Sequence, residues 1–237
     1  MARRIALWSG VVVLVLVGVA AALVRTVHVA DATVRVELTM RELFPALARR
    51  VPDPDARMRD VIEFDASFGR HPFVTRLHTI GGAVFLIFAP LQFIAPLRRR
   101  FVRLHRWTGR TLLGIGLLVG ISGFFFGLLM PIAGPLESVG ISLAGGLFLF
   151  SMGRAFLAIR SRDVERHREW MIRAFAVAIG ISTVRVIGAI LDPALTPYGY
   201  SAPQVLGLSL WVGWLLTIAA AEIWIRRSRH YLEIRIA

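Results

Sequence analysis

The sequence predicts an all-α integral membrane protein with six transmembrane helices. Hydrophobic residues make up 56% of the 237 residues and the mean hydropathy is +0.66, a balance typical of a polytopic membrane protein. The apolar residues also gather in runs of about 20, the length that a helix needs to cross a bilayer. The six runs occupy residues 5–25, 74–97, 107–130, 138–159, 170–191 and 203–225.

The first run follows Arg3 and Arg4, so residues 1–28 have the layout of a signal sequence. Its apolar stretch is longer than the usual core of a cleaved signal peptide, which favours an uncleaved signal-anchor helix; cleavage is the alternative. Residues 29–73 then form an extracytoplasmic segment. Within it, LTMRELFPALARRV has apolar residues near helical spacing and predicts a short amphipathic helix, and VPDPDAR predicts a turn.

The remaining five runs form a membrane core over residues 74–226, with the second to fifth helices as its central bundle. Residues 131–135 contain two prolines and a glycine, and separate the third helix from the fourth. Residues 192–203 contain three prolines and a glycine, and separate the fifth helix from the sixth. Residues 227–237 are predicted to form a short cytoplasmic tail.

The distribution of charge predicts the orientation of the helices. With the N-terminus in the cytoplasm, the cytoplasmic segments hold 18 of the 28 arginines and five of the 15 acidic residues, while the other side holds ten of each. The positive-inside rule therefore predicts N-in, C-in topology in a bacterial inner membrane. The net charge of +13 then lies on one membrane face, where anionic lipids are the expected partners and nucleic acid is not.

The composition also excludes several kinds of chemistry. The chain has no cysteine, which excludes disulfides, thiolate metal sites, iron–sulfur clusters and covalently attached c-type haem. All 28 basic residues are arginine, so a Schiff base to lysine is excluded as well.

Two histidines stand near the predicted cytoplasmic ends of helices, His105 by the third run and His167 by the fifth. At 100° per residue, a stripe of glycines lies within about 60° of His105. An imidazole above a strip without side chains suits a b-type haem, with His105 and His167 as the two tentative iron ligands. The stripe consists of Gly109, Gly116, Gly120, Gly123 and Gly127.

The same cytoplasmic border is rich in arginine, and Arg110, Arg154 and Arg173 could pair with the haem propionates. Gly109 and Gly116 would lie against the macrocycle. The spacing of the glycines equally favours close packing of helices without a cofactor, and both hypotheses stay open at this point.

A second polar group is predicted at the opposite end, formed by His78, Arg185 and Gln92. An arginine inside a bilayer has to face the bundle or a wet cavity, so Arg185 is the strongest indicator of an internal polar site. His78 is one expected partner of Arg185 and Asp192 is the alternative. Glu222 is expected to pair with an arginine of the cytoplasmic side.

Several stretches together resemble a bacterial membrane-protein family known only as a domain of unknown function. They are FDASFGRHPFVTRLH, APLQF, LHRWTGR, AIRSRDVERHREWMIR and the arginine of STVR, spread from about residue 64 to residue 226. The resemblance implies that a set of residues belongs to the family pattern, and it implies no activity. One departure is that Thr217 and alanines precede Glu222, where relatives often carry asparagine. The four-helix core is also loosely similar in architecture to cytochrome b561. The implied pattern positions are His78, His105, His167, Trp170, Arg173 and Arg185.

Three functions are compatible with these observations. The leading hypothesis is electron transfer through a b-type haem to or from a quinone. The second is a non-catalytic accessory subunit or assembly factor, which docks a larger membrane complex through residues 30–70. The third is a small anion transporter that uses Arg185 and His78.

Overall fold

The computed structural model describes residues 2–27, 53–131 and 133–236, and the regular structure of these residues is helical. Six of the helices are long and apolar enough to span a membrane, which confirms the predicted fold class. The helices are α1 (Ala2–Val27), α2 (Pro54–Gly69), α3 (Pro72–Leu91), α4 (Ala95–Arg100), α5 (Val102–Leu129), α6 (Pro135–Arg160), α7 (Val164–Leu195) and α8 (Ala202–Ile236).

Two helices begin earlier than the hydropathy pattern predicts. Helix α5 begins at Val102 rather than at residue 107, and α7 begins at Val164 rather than at residue 170. The start of α7 is fixed by Asp163, whose Oδ1 accepts the backbone N–H of Arg166 at 2.9 Å and so caps the helix. Polar first turns of this kind carry no hydropathy signal.

Two other boundaries also differ from the prediction. Helix α3 ends at Leu91, not at residue 97, because Pro90 lies in its last turn and the chain turns at residues 92–94 before the short α4. Helix α8 continues to Ile236, so residues 227–236 extend the last helix.

Helix α2 begins at Pro54, so the turn predicted for VPDPDAR is wrong over residues 54–57; residues 51 and 52 lie outside the described part of the chain. Asp53 accepts the N–H of Ala56 at 2.9 Å, and Pro54 occupies the first helical position, where its missing N–H costs nothing. The amphipathic helix predicted for LTMRELFPALARRV lies outside the described residues.

The buried core comes from α3, α5, α6 and α7, as predicted for the second to fifth transmembrane helices. Its large members include Phe85, Leu112, Phe148, Met152 and Phe175. Around this core, α5 packs between α3 and α6, α1 lies against α3 and α7, and α8 lies mainly against α7. We call the end of the bundle where α5 and α7 begin the His105 end, and the end where α3 begins the His78 end.

Two ion pairs join α7 to α8 at the His105 end. Arg173 donates from Nε to Glu222 at 2.6 Å and from a second nitrogen to the other carboxylate oxygen at 3.0 Å. Glu169, one turn earlier on α7 and buried, receives Arg229 in the same two-point manner. Such forked contacts align both groups and are stronger than single-point pairs. The expected pairing of Glu222 with an arginine of this end is confirmed.

Candidate functional site

His105 and His167 lie in the first turns of α5 and α7, at the same end of the bundle and within electrostatic range of each other. The Nδ1 atom of His167 lies 2.9 Å from the carbonyl oxygen of Ala155, which is fully buried. A carbonyl only accepts, so Nδ1 donates to it and Nε2 is the ring nitrogen left for a metal. Metal-binding histidines are commonly held in this way.

Gln92 belongs to this His105 end, and the structure does not bring it together with His78. Its Nε2 donates to the Thr108 hydroxyl at 2.9 Å. Its Oε1 is buried without a hydrogen-bond partner among the described residues and faces Gly109, lying 3.9 Å from where a Cβ would stand. Gln92 therefore does not belong to the predicted polar group at the opposite end, which leaves His78 and Arg185 as its candidate members.

Three of the five glycines in the stripe of α5 pack against α6. A Cβ atom at Gly116 would lie 2.6 Å from Met152 Cε, and one at Gly120 would lie 2.4 Å from a Leu149 methyl. At Gly127 the nearest atom is a methyl of Ile141, at 2.5 Å. These distances require glycine for the close approach of the two helices, as the packing alternative predicted.

The haem hypothesis can be compared with these contacts. An imidazole nitrogen such as Nε2 of His167 is a suitable iron ligand. Along the stripe, however, Met152 and Phe85 fill the space over Gly116, where the macrocycle would have to lie. The glycine stripe therefore does not offer the space predicted for a haem.

The three arginines proposed for the propionates are held differently. The Arg110 guanidinium lies 5.4 Å from the Trp107 ring, and that of Arg154 lies 5.7 Å from the Trp170 ring. Arg173 lies 4.6 Å from Trp170 and is bound to Glu222. The Arg173 guanidinium is thus already engaged, while Arg110 and Arg154 have only ring contacts of this kind.

A cavity of about 220 Å³ opens beside this ion pair, between α6, α7 and α8. Its walls are mostly apolar, and its lining includes Trp170, Arg173 and Glu222 but neither histidine.

At the opposite end, His78 is fixed by α5. Its Nδ1 lies 2.9 Å from the hydroxyl of Ser122, and that hydroxyl lies 2.8 Å from the Leu118 carbonyl. Because the hydroxyl has one proton and gives it to a carbonyl, Nδ1 of His78 is the donor to Ser122. The ring also meets Phe126 edge-on, with ring centres 5.2 Å apart.

Arg185 lies within electrostatic range of His78 and of Arg25, the arginine in the last turn of α1. Its only hydrogen bond among the described residues goes to the Ile181 carbonyl of its own helix, at 2.9 Å. No carboxylate in the described part of the chain lies within ion-pair distance of it. Asp192, the alternative partner, instead pairs with Arg57 of α2.

Arg25 and Arg185 lie beyond the contact between α1 and α7. The two helices touch at Gly18, where a Cβ atom would lie 2.4 Å from the Ser182 hydroxyl oxygen. Arg25 is two turns beyond Gly18 on the same face of α1, and Arg185 is about one turn beyond Ser182. We call these four residues the α1–α7 cluster.

The hydroxyl oxygens of Ser182 and its neighbour Thr183 are both buried, and neither has a hydrogen-bond partner among the described residues. A buried hydroxyl without a partner is uncommon in proteins. Ser182 is fully buried where α1 and α7 touch, so its hydroxyl belongs to the packing contact between these helices.

Helix α2 lies over the same end of the bundle. Its Phe68 ring lies 4.2 Å from the Arg25 guanidinium and 5.2 Å from the Phe126 ring. Arg57 ties α2 to Asp192 near the end of α7 and lies 3.5 Å from the Tyr200 carbonyl oxygen. Burial lowers the pKa of the Arg57 guanidinium below its ordinary value, and the nearby Asp60 opposes this shift.

Sequence reasoning missed Arg25, Ser122 and Ser182 as members of a site. Arg25 lay at the edge of an apolar run and was counted only for topology. The two serines are common in membrane helices and become notable only through their neighbours. No sequence signal available here could have identified them.

A family model described as "Predicted membrane protein (DUF2306)" matches residues 75–225, which is more than half of the chain. The match includes His78, His105, His167 and Arg185, while α1 and α2 precede it. No curated protein and no solved structure matches the chain. By this match and its six apolar helices, the chain belongs to the DUF2306 family of predicted membrane proteins.

Proposed function

We propose that this protein is a membrane-embedded binding protein for an anionic group, which it holds at Arg185. The observation that carries the proposal is that Arg185 lies on a membrane-spanning helix and has no described carboxylate within ion-pair distance. A charged arginine in a membrane bundle is costly to desolvate. A bound anion would offset that cost.

The chemistry of the Arg185 side chain favours a phosphate or carboxylate group. Guanidinium nitrogens bind the oxygens of either group at two points, which fixes the orientation of the ligand. Among the three hypotheses from the sequence, an anion site at Arg185 agrees best with the small anion transporter. The geometry supports binding of the anion and gives no support for its transport.

Calorimetric titration of the detergent-purified protein tests the proposal. The probe is dihexanoyl phosphatidic acid, with dihexanoyl phosphatidylcholine as its counterpart of no net charge. We expect Arg185→Gln to weaken binding of the acid about tenfold or more, since charge-assisted hydrogen bonds contribute about 1.5–3 kcal/mol. Arg76→Gln is the matched control, because Arg76 is an exposed arginine of the same end, two residues from His78. Equal binding by wild type and Arg185→Gln would refute the proposal.

Electron transfer is the second candidate, and the hydrogen bond from His167 to the Ala155 carbonyl favours it. A bound b-type haem would supply one-electron chemistry, with His105 and His167 as its ligands and a quinone as partner. The filled space over Gly116 opposes this candidate.

Absorption spectra of oxidised and dithionite-reduced protein, expressed with ample haem, test the second candidate. A Soret band that disappears in both His105→Ala and His167→Ala, but persists in His71→Ala, would support it. A featureless spectrum would overturn it.

Docking to a larger membrane complex through residues 30–70 stays a prediction. Of that segment the structure describes residues 53–70, whose helix α2 contacts α1, α5 and α7 of its own chain. Loss of a co-purifying partner on deletion of residues 30–70, with the remaining helices still folded, would support this function.

A further inference from the structure

We propose that the cavity between α6, α7 and α8 binds the ring of an uncharged, membrane-dissolved quinone, whose ring carbonyl accepts a hydrogen bond from Arg173. The inference concerns binding and includes no electron transfer. It goes beyond the anion site, because Arg185 does not line this cavity, and it requires no haem.

The first argument is the place of the cavity in the bundle. Helices α6 and α8 both pack along α7 and contact each other far less, and the cavity of about 220 Å³ lies between them. It extends along α7 from Trp170 to Ala176, about 9 to 18 Å from the start of that helix. Phe150, one of its lining residues, is 56% exposed on a membrane-spanning helix. The cavity therefore opens sideways toward the hydrocarbon of the bilayer, from which a membrane-dissolved molecule can enter.

The second argument is the charge of the lining. Its charged side chains are Arg173 and Glu222, which neutralise each other through their forked contact. A bound anion would be repelled by the Glu222 carboxylate, and a bound cation by the Arg173 guanidinium. The lining therefore favours an uncharged molecule.

The third argument is the set of hydrogen-bond donors that the ion pair leaves over. Arg173 uses Nε and Nη2 for Glu222, and its Nη1 has no hydrogen bond to a described residue. The indole N–H of Trp170 likewise has no hydrogen-bond partner in the described part of the chain. Donors without an acceptor beside an apolar space are costly. A hydrocarbon chain supplies no acceptor, whereas a carbonyl oxygen does.

The fourth argument is the size of the cavity and its aromatic wall. An apolar cavity of about 150 Å³ in another protein holds benzene, so about 220 Å³ has room for one substituted ring, with its tail outside. The rings of Phe150 and Trp170 stand nearly perpendicular, with centres 5.4 Å apart, and aromatic side chains pack well against flat rings. An uncharged ring with carbonyl oxygens and a tail in the bilayer is a lipophilic quinone.

Tryptophan fluorescence tests the proposal, because quinones quench it at short range. The probe is a benzoquinone with a decyl tail, added to phosphatidylcholine nanodiscs that contain the full chain. Quinone dissolved in the bilayer quenches in proportion to its concentration, whereas a bound ring adds a saturable component. We expect this component to disappear in Trp170→Phe and to persist in Trp107→Phe, which removes an exposed tryptophan of the same end.

Three further variants sharpen the assignment. Ala221→Leu fills the cavity and should weaken saturable quenching about tenfold or more, while Ala220→Leu, on the exposed neighbouring position, should retain it. The double variant Arg173→Met with Glu222→Gln removes the donor and both charges together, and should weaken it about tenfold. Ala221→Leu carries the test if Trp170→Phe fails to fold.

Competition identifies the chemistry that the cavity recognises. We expect neither decylbenzene nor decanoate, which resemble the probe in chain length, to displace the quinone at equal concentration. Displacement by decylbenzene would show that the cavity takes hydrocarbon without reading the carbonyl, and stronger displacement by decanoate would show an anion site; either result overturns the proposal. Saturable quenching that is absent, or unchanged in Ala221→Leu, overturns it as well. Arg185→Gln should leave quinone binding unchanged, so the two sites are tested separately.

Discussion

Gly18 of α1 and Ser182 of α7 approach so closely that a Cβ atom at position 18 would lie 2.4 Å from the serine hydroxyl oxygen. Leu86 of α3 is nearly as close, at 2.7 Å. This contact fixes where α1 meets the bundle.

Gly18→Ala should therefore push α1 away from α7. We expect a loss of about 1–3 kcal/mol of stability, the usual effect of overpacking a fitted contact, measured by denaturant unfolding in micelles. Gly10→Ala is the control on the same helix, since no side-chain atom lies within 4 Å of its Cβ position. If both variants unfold alike, α1 does not pack on α7 through Gly18.

The ion pair of Arg173 and Glu222 should couple α7 to α8 energetically. A double-mutant cycle with Arg173→Gln and Glu222→Gln should give a coupling energy of about 1–2 kcal/mol, because the contact is forked and partly buried. The exposed pair of Asp163 and Arg166 on α7 should give about 0–0.5 kcal/mol. Equal coupling in the two cycles would contradict the structure.

The hydroxyl of Ser122 should hold the His78 ring. Ser122→Ala leaves the Nδ1 proton of His78 without its acceptor in a half-buried position, which should cost about 1–3 kcal/mol of unfolding free energy. Ser161→Ala, which removes a hydroxyl at the exposed end of α6, should cost much less. Stability unchanged in Ser122→Ala would show that His78 is held by other contacts.

Asp192 should keep α2 against the bundle. Asp192→Asn removes the charge that Arg57 meets, so backbone amides of α2 should exchange hydrogen for deuterium faster. Glu63→Gln, on an exposed position of α2, is the control and should leave the exchange unchanged. Protection that is equally strong in Asp192→Asn would mean that Phe64 and Phe68 anchor the helix without the ion pair.

The fold class, the number of transmembrane helices and the four-helix core were predictable because each depends on local composition. Helix ends were harder to predict, because the first turns of α5 and α7 are polar and only capping by Asp163 shows where α7 starts. The same capping chemistry at Asp53 and Pro54 was present in the sequence and was mistaken for a turn.

The candidate sites were harder to predict than the helices. The periodicity of one helix shows which residues share a face, but it does not show which other helix that face contacts. Gln92 was grouped with His78 from a shared face, yet 14 residues of helix separate them by about 21 Å and place Gln92 beside Thr108. The pairing of Arg25 with Arg185 depends on which helices lie side by side. That arrangement is tertiary, and no periodicity within one helix encodes it.

The two forked ion pairs that join α7 to α8 have a mechanical consequence for the rest of the molecule. Glu169 and Arg173 bind α8 at successive turns of α7, so these two helices resist sliding and rotation relative to each other. Helix α1 touches α7 through a glycine, and only 6% of its span is buried. If a molecule enters or leaves beside Arg185, we therefore expect α1 to be the helix that moves, while α7 and α8 keep their relative position.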